Sequence, residues 1–285
     1  MSTNVITARD LLAAAAGNLG GDEASREVEL LLSHALGRDR AWLYAHADDA
    51  LAAADAVRFH SLLMRRAAGE PLAYIIGHRE FWSLELSVTP AVLIPRPETE
   101  LLVELALRKT PQGTEVDIAD LGTGSGAIAL ALARECPHAR LLATDASAAA
   151  LMVARGNAER LGVGNVEFAK GDWCAALGSA KFDLIVSNPP YIADADAHLH
   201  QGDLRFEPRG ALASGADGFD AIRVIVRDAP VHLKPGGWLL FEHGYEQGVA
   251  ARVLLEKSGF VGMFTELDLE GRERVSGGSL RHHAK

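Results

Sequence analysis

Cysteine is nearly absent from this chain. Cys136 and Cys174 are the only two in 285 residues, far apart and without paired spacing. That pattern excludes a disulfide framework and a cysteine zinc site, so both are expected to be packing residues. Basic residues are also scarce relative to acids: 28 Lys and Arg face 38 Asp and Glu, for a formal charge of −10. Holding nucleic acid chiefly through its phosphates needs clustered Lys and Arg, so no direct nucleic-acid partner is expected. Long apolar runs are missing too. None approaches the roughly 20 residues a membrane span requires, and the N-terminus has no basic and apolar leader. The expectation is a cytoplasmic protein with no membrane association. His198 and His200 lie beside Asp194, Asp196 and Asp203, but without recognisable ligand spacing, so no metal is expected.

What is present is the composition of a globular protein, 48% hydrophobic and 23% charged, long enough for one or two domains. From Thr7 to about Ala68 the apolar residues recur at helical spacing: Leu11, Leu12 and Ala15, then Val28, Leu31, Leu32 and Ala35, then Val57, Leu62 and Leu63. Thr7 and Asp22 are candidate N-caps, and Gly17, Gly20, Gly21 and Gly37 candidate stops. Residues 1–71 are therefore expected to form a bundle of four or five helices. Residues 72–94, alternating around Phe81, suggest a β-hairpin linker. Residues 95–285 form the remaining domain. It opens on a segment in which Pro95 and Pro97 flank Arg96, a side chain that could face an active site.

Within that domain, Phe182 to Val186 reads as a strand buried on both faces, stopping at Asn188-Pro-Pro-Tyr191. At the carboxyl edge of an α/β sheet, where ligands bind, Asn188 is a candidate for chemistry. Its side-chain oxygen and the Pro189 carbonyl are two acceptors that a planar NH2 group could satisfy, with Pro190 stiffening the corner and Tyr191 supplying a flat wall. Upstream, Val116 to Leu121 is a strand, Gly122, Thr123, Gly124, Ser125 and Gly126 a glycine turn, and Ala127 to Ala133 a helix. Such a turn brings backbone N–H groups to an anion, either a carboxylate or a dinucleotide pyrophosphate. Arg140 to Asp145 follows as a strand. Asp145 is placed to grip ribose hydroxyls, or to cap the helix expected over 146–161, or both. Later helices are expected over 217–233 and 246–258, with strands over 236–242, 260–267 and 273–276 and a loose tail over 280–285. Alternating strands and helices imply an α/β, doubly wound, Rossmann-like sheet with the glycine turn and Asn188 on one edge.

Asn188-Pro-Pro-Tyr191 resembles the tetrapeptide of S-adenosylmethionine-dependent enzymes that methylate planar nitrogens. Ile94-Pro-Arg-Pro-Glu-Thr-Glu100, Asp120 to Gly126, Gly171-Asp-Trp173, Phe206 to Leu212 and Glu242-His-Gly244 narrow the resemblance to one branch, the HemK/PrmC family of release factor protein-(glutamine-N5) methyltransferases. The resemblance implies S-adenosyl-L-methionine as cofactor and a peptide chain release factor, through its Gly-Gly-Gln loop, as protein substrate. It gives Asn188 and Pro189 the catalytic role. Gly122, Thr123, Gly124, Ser125, Gly126, Asp145, Trp173 and Asn188 would hold the cofactor, with Trp173 against its adenine. Asn188, Pro189, Pro190 and Tyr191 would hold the substrate, and the N-terminal helices would help seat it. A monomer is expected. The alternatives are an adenine-N6 nucleic-acid methyltransferase, which would share the Asn188 clamp, a nicotinamide-dependent dehydrogenase, which would leave that clamp unused, and a noncatalytic adaptor.

Overall fold

The structure is a computed structural model that describes residues 6–15, 19, 23–111 and 113–281. The chain divides into two compact units, Met1–Gly77 and His78–Lys285. The candidate cap Asp22, the candidate stops Gly17, Gly20 and Gly21, and tail residues 282–285 lie outside the described residues.

The first unit contains α1 (Ala8–Ala15), α2 (Ala24–Leu36), α3 (Arg40–Ala45), α4 (Ala53–Ala67) and α5 (Leu72–Ile76). Thr7 caps α1 reciprocally: its hydroxyl accepts from Asp10 N at 3.2 Å, and its own N–H donates to the Asp10 carboxylate at 3.2 Å. Gly37, with φ 61°, closes α2 in the left-handed conformation. Val28, Leu31, Leu32, Ala35, Leu62 and Leu63 are buried as expected, but Val57 is 71% exposed and Phe59 takes its place at 2%. Phe59 precedes Leu62 and Leu63 by three and four residues and shares their face, whereas Val57 is turned away from it.

The hairpin is shorter than residues 72–94. Leu72–Ile76 is helical, and the strands β1 (His78–Phe81) and β2 (Leu84–Ser87) pair antiparallel only beyond it. Trp82 and Ser83 join them with φ 51° and 56°, both in the left-handed region that a two-residue hairpin turn requires.

The second unit continues with a 3₁₀ turn, Pro97–Thr99, then α6 (Glu100–Lys109), β3 (Asp117–Leu121), α7 (Ala127–Glu135), β4 (Arg140–Asp145), α8 (Ala148–Leu161), β5 (Val166–Lys170) and β6 (Phe182–Ser187). After a loop of 3₁₀ turns come α9 (Asp220–Asp228), β7 (Leu233–Glu242), α10 (Gly248–Lys257), β8 (Phe260–Leu267) and β9 (Glu273–Leu280). The seven strands run in the order β5-β4-β3-β6-β7-β9-β8. β3 to β7 are mutually parallel and β9 runs against both its neighbours. This is the doubly wound sheet expected from the sequence.

Helices cover both faces. On β6, Leu184 and Val186 pack into the layer of α6 and α7, while Ile185 packs into the layer of α9 and α10. That two-sided burial is why the strand shows no polar alternation. Three expected boundaries move. The helix expected over 217–233 gives way at Asp228 to a 3₁₀ turn containing Pro230, which cannot continue the hydrogen-bond ladder. The strand expected from Gly236 begins at Leu233. β9 runs on from the expected end at Ser276 through Gly277 and Gly278 to Leu280. At Gly277 a Cβ would sit 2.4 Å from Leu240 Cδ2, so the glycine is there for close packing of β9 on β7.

Candidate functional site

The strand order reverses direction between β3 and β6, so the turns leaving their carboxyl ends open on one crevice. The glycine turn follows β3 and Asn188 follows β6. A cavity of about 340 Å³ fills the crevice, within the usual range for a small-molecule site. Gly122, Thr123, Gly124, Ser125, Asp145, Trp173, Asn188 and Pro190 all line it, together with Arg96 and Thr99. Gly126, Pro189 and Tyr191 do not line it. Gly126 is the N-cap of α7, and Pro189 and Pro190 are buried.

The glycine turn is shaped by bonds to β4 as well as by its own sequence. Gly122 N and Thr123 N both donate to the Thr144 carbonyl, at 2.9 and 2.8 Å, and Gly124 N donates to Asp145 Oδ2 at 2.9 Å. Gly122, Gly124 and Gly126 have φ of 74°, 57° and 86°, which a residue with a Cβ adopts only at a cost. Beneath the turn, Asp120 is buried and accepts the Thr123 hydroxyl at 2.6 Å, while its Oδ1 has no partner among the described residues. Burial raises its carboxyl to about 7, against the opposing pull of the Thr123 bond.

Asp145 does not cap α8. Ser147 does, accepting from Ala150 N at 3.1 Å, while Asp145 Oδ1 accepts from Ser147 N at 2.8 Å. Each Asp145 oxygen thus keeps a further lone-pair direction for a ligand hydroxyl. Trp173 is partly exposed and sits over the turn, so near that a Cβ on Gly122 would come within 3.2 Å of its ring. Trp173 itself has φ 44°, an unusual conformation for a bulky residue, and this aims the ring across the cavity wall.

At the other end, the Asn188 amide heads a buried relay. Asn188 Nδ2 donates to Thr99 Oγ1 at 3.1 Å, Thr99 Oγ1 donates to Glu242 Oε2 at 2.6 Å, and the Tyr191 hydroxyl donates to Glu242 Oε1 at 3.1 Å. Glu242 ends β7 and is 1% exposed. Burial raises its carboxyl above the ordinary value, and desolvation together with the Glu242 charge raises the Tyr191 phenol. Tyr191 therefore stays a neutral donor that braces the corner from outside the cavity.

Arg96 reaches the cavity wall and pairs with Glu207, whose side chain is fully buried and whose other oxygen accepts from Ile94 N at 3.0 Å. Phe206-Glu207-Pro208 thereby ties the loop after β6 to the segment entering α6. Thr99, Glu207 and Glu242 escaped the sequence reading as site residues, although each lies in a motif quoted there. In the loop, His198 Nδ1 is taken up by Asp196 Oδ1 at 2.7 Å. Cys174 is a buried packing residue whose thiol is pushed up to about 12 by desolvation.

The PrmC N-terminal domain family matches residues 6–77, and the Methyltransferase small domain family matches residues 97–204. A release factor glutamine methyltransferase of Xylella fastidiosa is 56% identical over 88% of this chain and 92% of its own length. One of Bordetella pertussis is 53% identical over 89% of this chain and 94% of its own. Among solved structures, the hMettl16 catalytic domain superposes with a TM-score of 0.57 at 14% identity, covering 81% of this chain and 82% of that one. A T. thermophilus 16S rRNA N2 G1207 methyltransferase superposes with a TM-score of 0.53 at 23% identity, covering 72% and 50%. These two likenesses show the fold.

Proposed function

Because this chain belongs to the release factor glutamine methyltransferases, we propose that its cavity binds S-adenosyl-L-methionine and that Asn188 presents a glutamine side-chain amide of a peptide chain release factor, in its Gly-Gly-Gln loop, for methylation at N5. The observation that carries this reading is the Asn188 amide itself. Its NH2 end is bound to Thr99, its oxygen is the other end of the group, and the group lines the same cavity as the glycine turn.

The donor set fits the cofactor. The turn of Gly122, Thr123, Gly124, Ser125 and Gly126 and the N-terminus of α7 suit its carboxylate, Asp145 suits its ribose hydroxyls, and Trp173 offers a ring for its adenine. Bound there, the cofactor supplies an electrophilic methyl carbon.

The protein's own part is positioning and electrostatics. A glutamine amide is a weak nucleophile because its nitrogen lone pair is delocalised into the carbonyl. Asn188 Oδ1, on the cavity wall, would accept one N–H. The Pro189 carbonyl, of a residue buried behind that wall, would have to reach the other through the gap beside Pro190. Together they would raise electron density on the nitrogen and fix its direction of attack. Pro189 and Pro190 carry no N–H to compete for those oxygens, and their restricted φ keeps the corner rigid. No strong base is required, because the methylated nitrogen is acidic until it loses its proton to water.

Residues 1–71 would seat the protein substrate, residues 72–94 would link, and residues 95–285 would carry out the transfer. The formal charge of −10 disfavours the adenine alternative, which needs a basic surface to hold the nucleic-acid backbone. In this reading the enzyme acts as a monomer in the cytoplasm, where release factors work. No helix among the described residues is long and apolar enough to cross a membrane. The test is incubation with labelled S-adenosylmethionine and a release-factor fragment, read by mass spectrometry. One methyl group on the Gly-Gly-Gln glutamine is expected; label on DNA alone would overturn the reading.

A further inference from the structure

An asparagine amide has two ends of nearly equal shape and opposite hydrogen-bonding character. A clamp for an NH2 group works only if the oxygen end faces the substrate, so something must prevent the amide from turning over. Asn188 stands at the carboxyl end of β6, and among the described residues the side chain bonded to it is Thr99, 89 residues away in sequence. A threonine hydroxyl can donate or accept, and by itself it would tolerate either end of the amide.

Glu242 removes that freedom. Its two oxygens meet Thr99 Oγ1 at 2.6 Å and the Tyr191 hydroxyl at 3.1 Å. Both hydroxyls donate to those oxygens, Thr99 Oγ1 to Oε2 and the Tyr191 hydroxyl to Oε1. Thr99 then has no proton left for Asn188 and can only accept. Accepting requires the NH2 end, which leaves Asn188 Oδ1 as the free end. We infer that Glu242, acting through Thr99, is the positioning residue that fixes which end of the Asn188 amide is offered to the substrate. The inference rests on the glutamine reading of the same site and adds to it the groups that set the polarity of the clamp.

The cost of the arrangement supports a role of this kind. A carboxyl group 1% exposed is costly to bury, and two hydroxyls are modest compensation. Arg274 on β9 adds an attractive charge, but its guanidinium is bonded to Asp268, at 3.1 and 3.0 Å, and not to Glu242. A mere tie between β7 and the Pro97–Thr99 turn would be served as well by a neutral amide. A group that accepts from both hydroxyls is what the amide polarity needs.

The test compares Glu242→Gln, Thr99→Val and Thr99→Ser with the wild-type enzyme in release-factor methylation, together with cofactor binding by calorimetry. Glu242→Gln has nearly the same shape but can donate, and Thr99→Val keeps the volume but not the hydroxyl. Both are expected to lower kcat by roughly 10²-fold, the scale of a small misplacement at a reacting group, with cofactor affinity and release-factor KM near wild type. Thr99→Ser, which keeps the hydroxyl, is expected to restore most of the turnover. If Glu242→Gln does not fold, the Thr99 pair decides alone. Wild-type kcat in Thr99→Val overturns the inference, and so does an equal loss in Thr99→Val and Thr99→Ser, which is what a packing role would give. Wild-type enzyme run in parallel separates the two claims: its failure to methylate glutamine refutes the underlying reading, whereas an active wild type beside a fully active Thr99→Val refutes the relay alone.

Discussion

Asp145 holds Gly124 in place: its Oδ2 accepts the Gly124 N–H at 2.9 Å, across 21 residues of sequence. The residue proposed to grip ribose hydroxyls is thus also a strut for the glycine turn. Asp145→Ala would remove both functions at once. Hydrogen bonds to a charged group are worth about 1.5–3 kcal/mol, so S-adenosylmethionine affinity should fall roughly 10- to 100-fold. Isothermal titration of the variant measures this, and an unchanged affinity would remove Asp145 from the binding set.

Gly122 faces Trp173 so closely that a methyl group would be a tight fit. Gly122→Ala forces an L-residue to keep φ 74° and puts its Cβ 3.2 Å from the Trp173 ring. The left-handed conformation alone costs about 1–2 kcal/mol, and the ring must shift as well. Urea unfolding should show that loss of stability, and cofactor binding should weaken through the displaced Trp173.

Asp120 links stability to pH with a sign opposite to that of a salt-bridged carboxylate. Its carboxyl ordinarily titrates near 3.8 and is raised to about 7 in the folded protein. Between those values the folded state binds the extra proton. Its contribution to stability is therefore fullest at acid pH, falls as pH rises through that window, and is constant above it. Asp120→Asn removes the titration. Melting temperatures of the variant and the wild type, compared at a series of pH values from about 4 to 8, should move in the variant's favour up to about pH 7 and then run parallel. A difference that does not change with pH would mean that Asp120 is ionised throughout.

Much of this architecture is legible in the sequence because local pattern and burial agree. Leu184, Ile185 and Val186 announce a two-sided strand, and Gly122, Gly124 and Gly126 have the positive φ their spacing suggests. Asn188, Asp145 and Trp173 meet in one cavity because the carboxyl ends of parallel strands share an edge. The relay is a different matter. Thr99 and Glu242 are 143 residues apart, and each belongs to a type used everywhere for capping and solvation, so no local pattern distinguishes them. Glu207 was hidden in the same way, 111 residues from Arg96. Leu72–Ile76 is five residues long, and over such a stretch apolar periodicity does not separate helix from strand. β9 runs past the expected Ser276 because Gly277 and Gly278, which break strand patterns elsewhere, are used here for close packing on the neighbouring strands.

The measurement that bears most directly on the central claim is the turnover of Asn188→Ala on a release-factor substrate, set beside its affinity for S-adenosylmethionine. Removing the amide oxygen leaves the glycine turn, Asp145 and Trp173 intact. The account predicts a cofactor affinity within a few-fold of wild type and a kcat lower by roughly 10²- to 10³-fold, the scale seen when one donor to a developing charge is removed. Methylation of the glutamine at the wild-type rate by Asn188→Ala would contradict it.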